Sequence, residues 1–333
     1  MKILCGSSKG KKTTLLKKTI TIIGSGVWGL SLARILKKNG HDIVLWTHSL
    51  EKSIKLRKQF SEYRVFNHLT QACQSSEYLF LCVSSPFVHD LSQQLKKTIK
   101  PHQKIVCATK GFDIERLESV YTILKNHFSE KKIFVLSGPN IAKEINADLP
   151  AATVIAGKSV GEVRLLQKIL TTESFRVYGS ADPVGVHLGG TFKNTYAIVA
   201  GIAHGLKLGD NAISAMMVRA LAEMKLLAVK MGAKAGTLDG LSGAGDLMTT
   251  CYSVLSRNHH VGIELAKGKK LNQILKNMNE VAEGVLTCKA MEILSKKYKV
   301  LMPITHQIFQ VLYKNKKPQV ALAELMKRPP SYE

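Results

Sequence analysis

The chain has 333 residues, 45% hydrophobic and 22% charged, with 48 lysines and arginines against 24 acidic residues and a formal net charge of +24. This length and apolar content suit two globular domains and exclude a disordered or collagen-like chain. No apolar run reaches the ~18 residues needed to cross a bilayer, so a cytoplasmic protein without a membrane span is expected.

Residues 1–18 hold six lysines and no acid and read as a flexible basic leader. They lack the apolar core of a secretory signal and the arginines of a transit peptide. From Thr19 onward, short β-rich runs alternate with helical patterns, the signature of βαβ units and a parallel sheet. The runs are Ile20–Ile23, Asp42–Trp46, Tyr78–Val83, Lys104–Ala108, Ile133–Leu136, Ala152–Ala156 and Phe175–Tyr178. Several are apolar throughout, as strands covered on both faces must be. A helix over Trp28–Asn39 is predicted, closed by Gly40.

Past Pro183 the strand pattern gives way to long helical stretches such as Ala212–Met231 and Val285–Tyr298. Turn formers cluster at Gly179, Ser180, Asp182 and Pro183, which places a domain boundary between 182 and 183. The predicted fold is α/β: a Rossmann-type, doubly wound, mainly parallel sheet over 19–182, followed by an all-α domain over 183–330.

The first strand leads into Gly24-Ser25-Gly26-Val27-Trp28-Gly29 and then a helix, so G-x-G-x-x-G stands in the context that gives it meaning. Gly24 permits the turn, Gly26 admits a pyrophosphate, and Gly29 lets helix and strand pack closely. Phosphate charge would sit at the helix N-terminus. A dinucleotide site is therefore expected. The second strand ends in Trp46-Thr47-His48-Ser49, with no carboxylate for a ribose 2′-hydroxyl. With His48 and Lys52 there instead, NADPH should be accepted at least as well as NADH.

A nicotinamide enzyme that reduces a carbonyl needs a proton donor and cations for an anionic substrate. Lys193 and Asn194, within His187–Ala197, are placed near the start of a helix whose small face at Ala197, Ala200 and Gly201 lets another surface approach. An ammonium buried there has its pKa lowered. Asp246 follows the glycine-rich bend Leu241–Gly245. Ser256-Arg257-Asn258 supplies a hydroxyl, a guanidinium fork and an amide suited to phosphate. Lys110-Gly111 and Ser137-Gly138-Pro139-Asn140 follow the fourth and fifth strand runs and face the expected cleft.

The lysines fall mostly in scattered pairs without interleaved aromatics, which argues against nucleic acid and for a solvated face, with weak polyanion attraction and steering of an anionic substrate as the alternative. Six cysteines with no CxxC pair read as free thiols, and no metal site is expected.

The motifs Gly24-x-Gly26-x-Trp28-Gly29, Lys110-Gly111, Leu136-Ser137-Gly138-Pro139, Leu188-Gly189-Gly190-x-x-Lys193-Asn194, Gly243-x-Gly245-Asp246-Leu247, Ser256-Arg257-Asn258, Glu283-Gly284 and Met302-Pro303-Ile304-Thr305 occur in one order. In that order and spacing the chain resembles bacterial NAD(P)-dependent glycerol-3-phosphate dehydrogenase over residues 19–328. The resemblance implies interconversion of dihydroxyacetone phosphate and sn-glycerol 3-phosphate, supplying phospholipid synthesis. It implies Lys193 as the proton-relay residue, and Lys110, Gly138, Asn140, Lys193, Asp246, Ser256, Arg257 and Asn258 at the substrate. At the cofactor it implies Val27, Trp28, His48, Lys110, Ala142, Arg257, Val281 and Glu283, beside Gly24, Gly26 and Gly29 of the turn.

Five positions at three places depart from the family's pattern: Asn140 replaces Ser or Thr, His187 replaces Glu or Gln, and Ser253-Val254-Leu255 replaces more polar residues. The segment Tyr63–Ala72 is also shorter than the family's. Oligomeric state is not legible in the sequence, with a homodimer left open. Two other readings stay open: a different two-domain hydroxyacid dehydrogenase, and a basic nucleic-acid-binding protein.

Overall fold

The computed structural model of the protein describes residues 16–278, 282–330 and 332. Most of the basic leader, and Val281 among the expected cofactor residues, lie outside the described residues.

The strands are β1 (Thr19–Ile23), β2 (Asp42–Trp46), β3 (Arg64–Phe66), β4 (Tyr78–Leu81), β5 (Lys104–Cys107), β6 (Phe112–Asp113), β7 (Glu118–Ser119), β8 (Ile133–Ser137), β9 (Ala151–Gly157) and β10 (Phe175–Ser180). Eight form one sheet in the order β10-β9-β8-β5-β4-β1-β2-β3, while β6 and β7 pair as a small antiparallel hairpin. From β3 to β8 every pairing is parallel. β9 then runs antiparallel to β8, with β10 parallel to β9. The all-buried runs of β4 and β8 explain why their sequences are apolar without alternation.

β3 and the β6–β7 hairpin were not among the predicted runs. Arg64-Val65-Phe66 is three residues long with one buried side chain, too short for a periodic pattern to register.

The sheet is covered by α1 (Val27–Lys38), α2 (Leu50–Gln59), α3 (Leu69–Cys73), α4 (Val88–Thr98), α5 (Val120–His127), α6 (Ala142–Asn146) and α7 (Val160–Leu170). One face packs Leu32 and Leu36 of α1 and Leu166 of α7 against Ile20, Ile22 and Phe80. The other packs Leu91 and Leu95 of α4 and Leu124 of α5 against Ile23, Leu79 and Leu81.

The second part is helical: α8 (Pro183–Gly205), α9 (Asp210–Lys230), α10 (Ala235–Leu238), α11 (Asp246–Tyr252), α12 (Arg257–Ala266), α13 (Leu271–Lys276), α14 (Glu283–Tyr298), α15 (Pro303–Tyr313) and α16 (Pro318–Met326). Its axis is α8, 23 residues long and buried over most of its length. Asp182 caps α8 through Gly185 N–H at 2.9 Å and also accepts from Lys234 N–H and the Thr237 hydroxyl, which ties the helix start to α10. Small residues let α12 lie directly on α8. A Cβ on Gly201 would stand 2.0 Å from the His259 carbonyl oxygen, and one on Gly262 2.1 Å from that of Ile198.

Among the described residues no helix is long and apolar enough to cross a membrane, and no cluster of three or more ligating side chains could hold a metal ion.

Candidate active site

The β1 strand lies between β2 and β4, where the strand order reverses, and this is where open α/β sheets form a ligand crevice. The turn after β1 fills that crevice's floor. Gly24 has φ +108°, and a Cβ there would come within 2.8 Å of the Cys82 backbone. A Cβ on Gly29 would come within 2.0 Å of the Gly24 carbonyl oxygen, so strand and helix touch through these two glycines. A Cβ on Gly26 would meet nothing within 4 Å, so no packing demand explains its lack of a side chain. The N-terminus of α1 has no side-chain cap and no acid in its first turn, leaving its amides and dipole directed outward. Gly26, Val27 and Trp28 line a cleft of about 620 Å³ together with Ser84 and Arg257. An open glycine, a bare helix end and a cleft of this size fit a dinucleotide. His48 stands exposed past β2, edge-on to Trp46 at 6.5 Å, and Ala142 opens α6 past β8.

At the other end of the crevice two lysines meet one carboxylate. Lys110 Nζ lies 2.6 Å from Asp246 Oδ2, and Lys193 Nζ contacts Asp246 Oδ1. Lys193 Nζ also donates to Thr250 Oγ1 at 2.6 Å, and Lys110 Nζ to the Gly138 carbonyl at 3.4 Å. Asp246 is fully buried and Lys193 is 8% exposed. Burial pushes the Lys193 ammonium down to a pKa of about 8, with the Lys110 charge adding to the fall and Asp246 opposing it.

Lys193 is not near a helix start, as the sequence suggested, but midway along α8. The pair Gly189-Gly190 does not break the helix. It is a contact point: a Cβ on Gly190 would stand 2.0 Å from Ser137 Oγ and 3.2 Å from Lys110 Cε. Helix α8 can therefore press against the loops after β5 and β8 only because position 190 has no side chain. The expected bend Leu241–Gly245 is one turn of π-helix running straight into α11, which carries Asp246 inward.

The residues expected at the phosphate are divided. Ser256 caps α12, its hydroxyl accepting from His259 N–H at 3.3 Å. Arg257 is exposed in the first turn and lines the cofactor-side cleft. Asn258 is buried, donating to Asn194 Oδ1 at 3.2 Å and accepting from Gly284 N–H at 3.0 Å, so its amide joins α8, α12 and α14. Asn140 donates to Thr153 Oγ1 at 2.9 Å. Glu283 accepts from Ser85 N–H at 3.2 Å and the Ser85 hydroxyl at 2.7 Å, which joins α14 to the loop after β4. Burial raises the Glu283 pKa, while Ser85 and the Arg257 charge act against the rise.

Sequence reasoning missed Thr250, Ser85 and Thr191. Thr250 lies four residues after Asp246 on one helix face, a spacing that could have revealed it. Ser85 and Thr191 had no local signal.

Two ammonium groups on one buried carboxylate thus stand beyond the carboxyl end of the same sheet that carries the dinucleotide turn. The models of the N-terminal and C-terminal parts of NAD-dependent glycerol-3-phosphate dehydrogenase match residues 19–162 and 182–323. The chain belongs to this family. It is 38% identical over 323 residues to a glycerol-3-phosphate dehydrogenase (NAD(P)+) of Fusobacterium nucleatum, covering 93% of this chain and 96% of that one. A relative of the same description from Nostoc sp. is 39% identical over 311 residues, with 93% and 96% covered. The crystal structure of glycerol-3-phosphate dehydrogenase from Coxiella burnetii superposes with a TM-score of 0.89 at 30% identity, covering 94% of this chain and 99% of that one. The oxidoreductase class, the NAD(P) cofactor and the Rossmann-type fold expected from the sequence all agree with this membership.

Proposed function

We propose that this enzyme interconverts dihydroxyacetone phosphate and sn-glycerol 3-phosphate with Lys193 as its acid and base. The nicotinamide, when bound, supplies or takes the hydride at the carbon that becomes the secondary alcohol. Lys193 in its ammonium form protonates the oxygen left negative by hydride arrival, and as the free amine it removes that proton in the reverse direction. A pKa of about 8 lets one side chain serve both directions near neutral pH. Asp246 and Thr250 hold the Lys193 nitrogen in place, and Lys110 offers a second cation to the developing oxyanion. Asn140 keeps its partnerless Oδ1 and one remaining amide hydrogen near Gly138 for a substrate hydroxyl.

The phosphate is assigned to Arg257 at the N-terminal turn of α12, where the guanidinium fork and the helix dipole act together. The dinucleotide is assigned to the turn Gly24–Gly29, with Val27, Trp28, His48, Ala142 and Glu283 around it. Ser256 and Asn258 then support Arg257 from behind rather than meeting substrate first. The division between dinucleotide and catalytic domains is placed at 182/183, and the enzyme acts in the cytoplasm to feed phospholipid synthesis. Its +24 charge steers phosphorylated substrates and does not serve nucleic acid.

The single observation that carries this reading is the Lys110–Asp246–Lys193 cluster, in which Asp246 and Lys193 are buried and Lys193 has a lowered pKa. Following NADH and NADPH absorbance with dihydroxyacetone phosphate as acceptor tests it, with 3-hydroxyisobutyrate oxidation as the competing activity. Oxidation of 3-hydroxyisobutyrate with no turnover of dihydroxyacetone phosphate would overturn it.

A further inference from the structure

We infer that His187 is a positioning residue that sets the place of Lys110 by way of Thr191 and the Gly111 amide. The inference rests on the reading of Lys110 and Lys193 given above. His187 and Thr191 lie one turn apart on α8 and are almost wholly buried. Gly111 N–H donates to Thr191 Oγ1 at 3.1 Å. The same hydroxyl lies 3.5 Å from His187 Nε2, and a neutral ring carrying its proton on Nδ1 would accept from it.

Burial pushes the His187 pKa down to about 4, and the Lys110 charge adds to the fall while the Gly111 backbone opposes it, so the ring stays an uncharged acceptor at neutral pH. Lys110, on the loop after β5, is the charged group that acts on it. Gly111 sits at φ +143°, pressed against Ser85, so the loop has few alternative paths once its amide is held. One turn of α8 therefore does two things to the same loop. Gly190 makes room for the Lys110 stem, and Thr191, oriented by His187, anchors the next residue.

The consequence reaches Lys193. Lys110 lowers the Lys193 pKa by repulsion, Asp246 raises it by attraction, and Cys251 is a further titratable neighbour. Freeing Lys110 from its place would weaken the grip on substrate and, by removing the repulsion, raise the pKa of Lys193.

The test compares His187→Gln, His187→Leu and Thr191→Val in steady-state assays, with NADH binding measured by fluorescence titration. Glutamine can accept and donate at this position, so His187→Gln should retain the wild-type KM and pH profile. His187→Leu should raise the KM for dihydroxyacetone phosphate about tenfold, the scale of one buried hydrogen-bonded support. It should also move the alkaline limb of kcat/KM to higher pH and leave the NADH Kd unchanged. Thr191→Val, close in shape, should reproduce both shifts. Wild-type KM and an unmoved limb in His187→Leu and Thr191→Val overturn the inference. So does a proportional loss of NADH affinity and substrate affinity, which a purely structural role would produce. Neither result touches the assignment of Lys193, which fails only if Lys193→Ala keeps near wild-type kcat.

Discussion

Lys110 and Lys193 hold opposite oxygens of one buried carboxylate, that of Asp246, although they come from a sheet loop and from the middle of a helix. Two ammonium groups so close would repel each other without it. The carboxylate offsets that repulsion and leaves the triad with one formal net positive charge.

The first prediction concerns pH. With Lys193 as the proposed acid, dihydroxyacetone phosphate reduction would draw on its ammonium form, so kcat/KM should fall as pH rises through about 8. Glycerol 3-phosphate oxidation needs the free amine, so its kcat/KM should rise through the same pH and then level. In Asp246→Asn the attraction that raises the Lys193 pKa is gone, and the limb should move to lower pH. Profiles in both directions check this, and an unmoved limb in the variant would contradict it. Lys193→Ala should cut kcat by about 10²–10⁴-fold, the usual range for loss of a general acid.

The second prediction concerns Gly190. In Gly190→Ala the new methyl would collide with Ser137 Oγ and crowd Lys110 Cε. Stability should fall by about 1–3 kcal/mol, and the KM for dihydroxyacetone phosphate should rise as Lys110 is displaced. Thermal unfolding and initial rates read the two effects separately. An unchanged KM would mean that α8 shifts without disturbing Lys110.

The third prediction concerns Arg257. Arg257→Ala should raise the KM for dihydroxyacetone phosphate by about 10–100-fold, what charged hydrogen bonds to a phosphate are worth, with a much smaller change in kcat. Arg257→Lys should recover only part of this, since a point charge cannot reproduce the bidentate fork. Equal KM values in wild type and Arg257→Ala would move the phosphate elsewhere.

The fourth prediction concerns the coenzyme. Residue 48 stands at the end of β2 as an exposed histidine, with no carboxylate to repel a 2′-phosphate. NADPH should be used at least as well as NADH. His48→Glu should favour NADH by about tenfold or more, by accepting from the ribose 2′-hydroxyl and repelling the 2′-phosphate. Michaelis constants for both coenzymes decide this, and a strong NADH preference in the wild type would refute it.

Short-range physics made much of this protein legible from its sequence. Apolar runs too unbroken for one-sided burial marked the parallel strands. The G-x-G-x-x-G turn declared its own geometry, and the spacing of eight motifs brought out the family. The strand runs and the turn lie within windows of a few residues, where steric limits and hydrophobic period act directly, whereas the motif order spans Gly24 to Thr305. The three residues of β3 carried too little pattern, and the reversal of β9 against β8 leaves no mark on composition. Tertiary structure alone decided the rest. It brought Lys110 to Asp246 across 136 positions and Ser85 to Glu283 across 198. It also continued α8 through Gly189-Gly190 and so put Lys193 in mid-helix. Whether a lysine is a solvated charge or a proton donor of lowered pKa depends on which groups exclude water from it. Those groups come from distant parts of the chain and meet only when the sheet and the helices after it pack together.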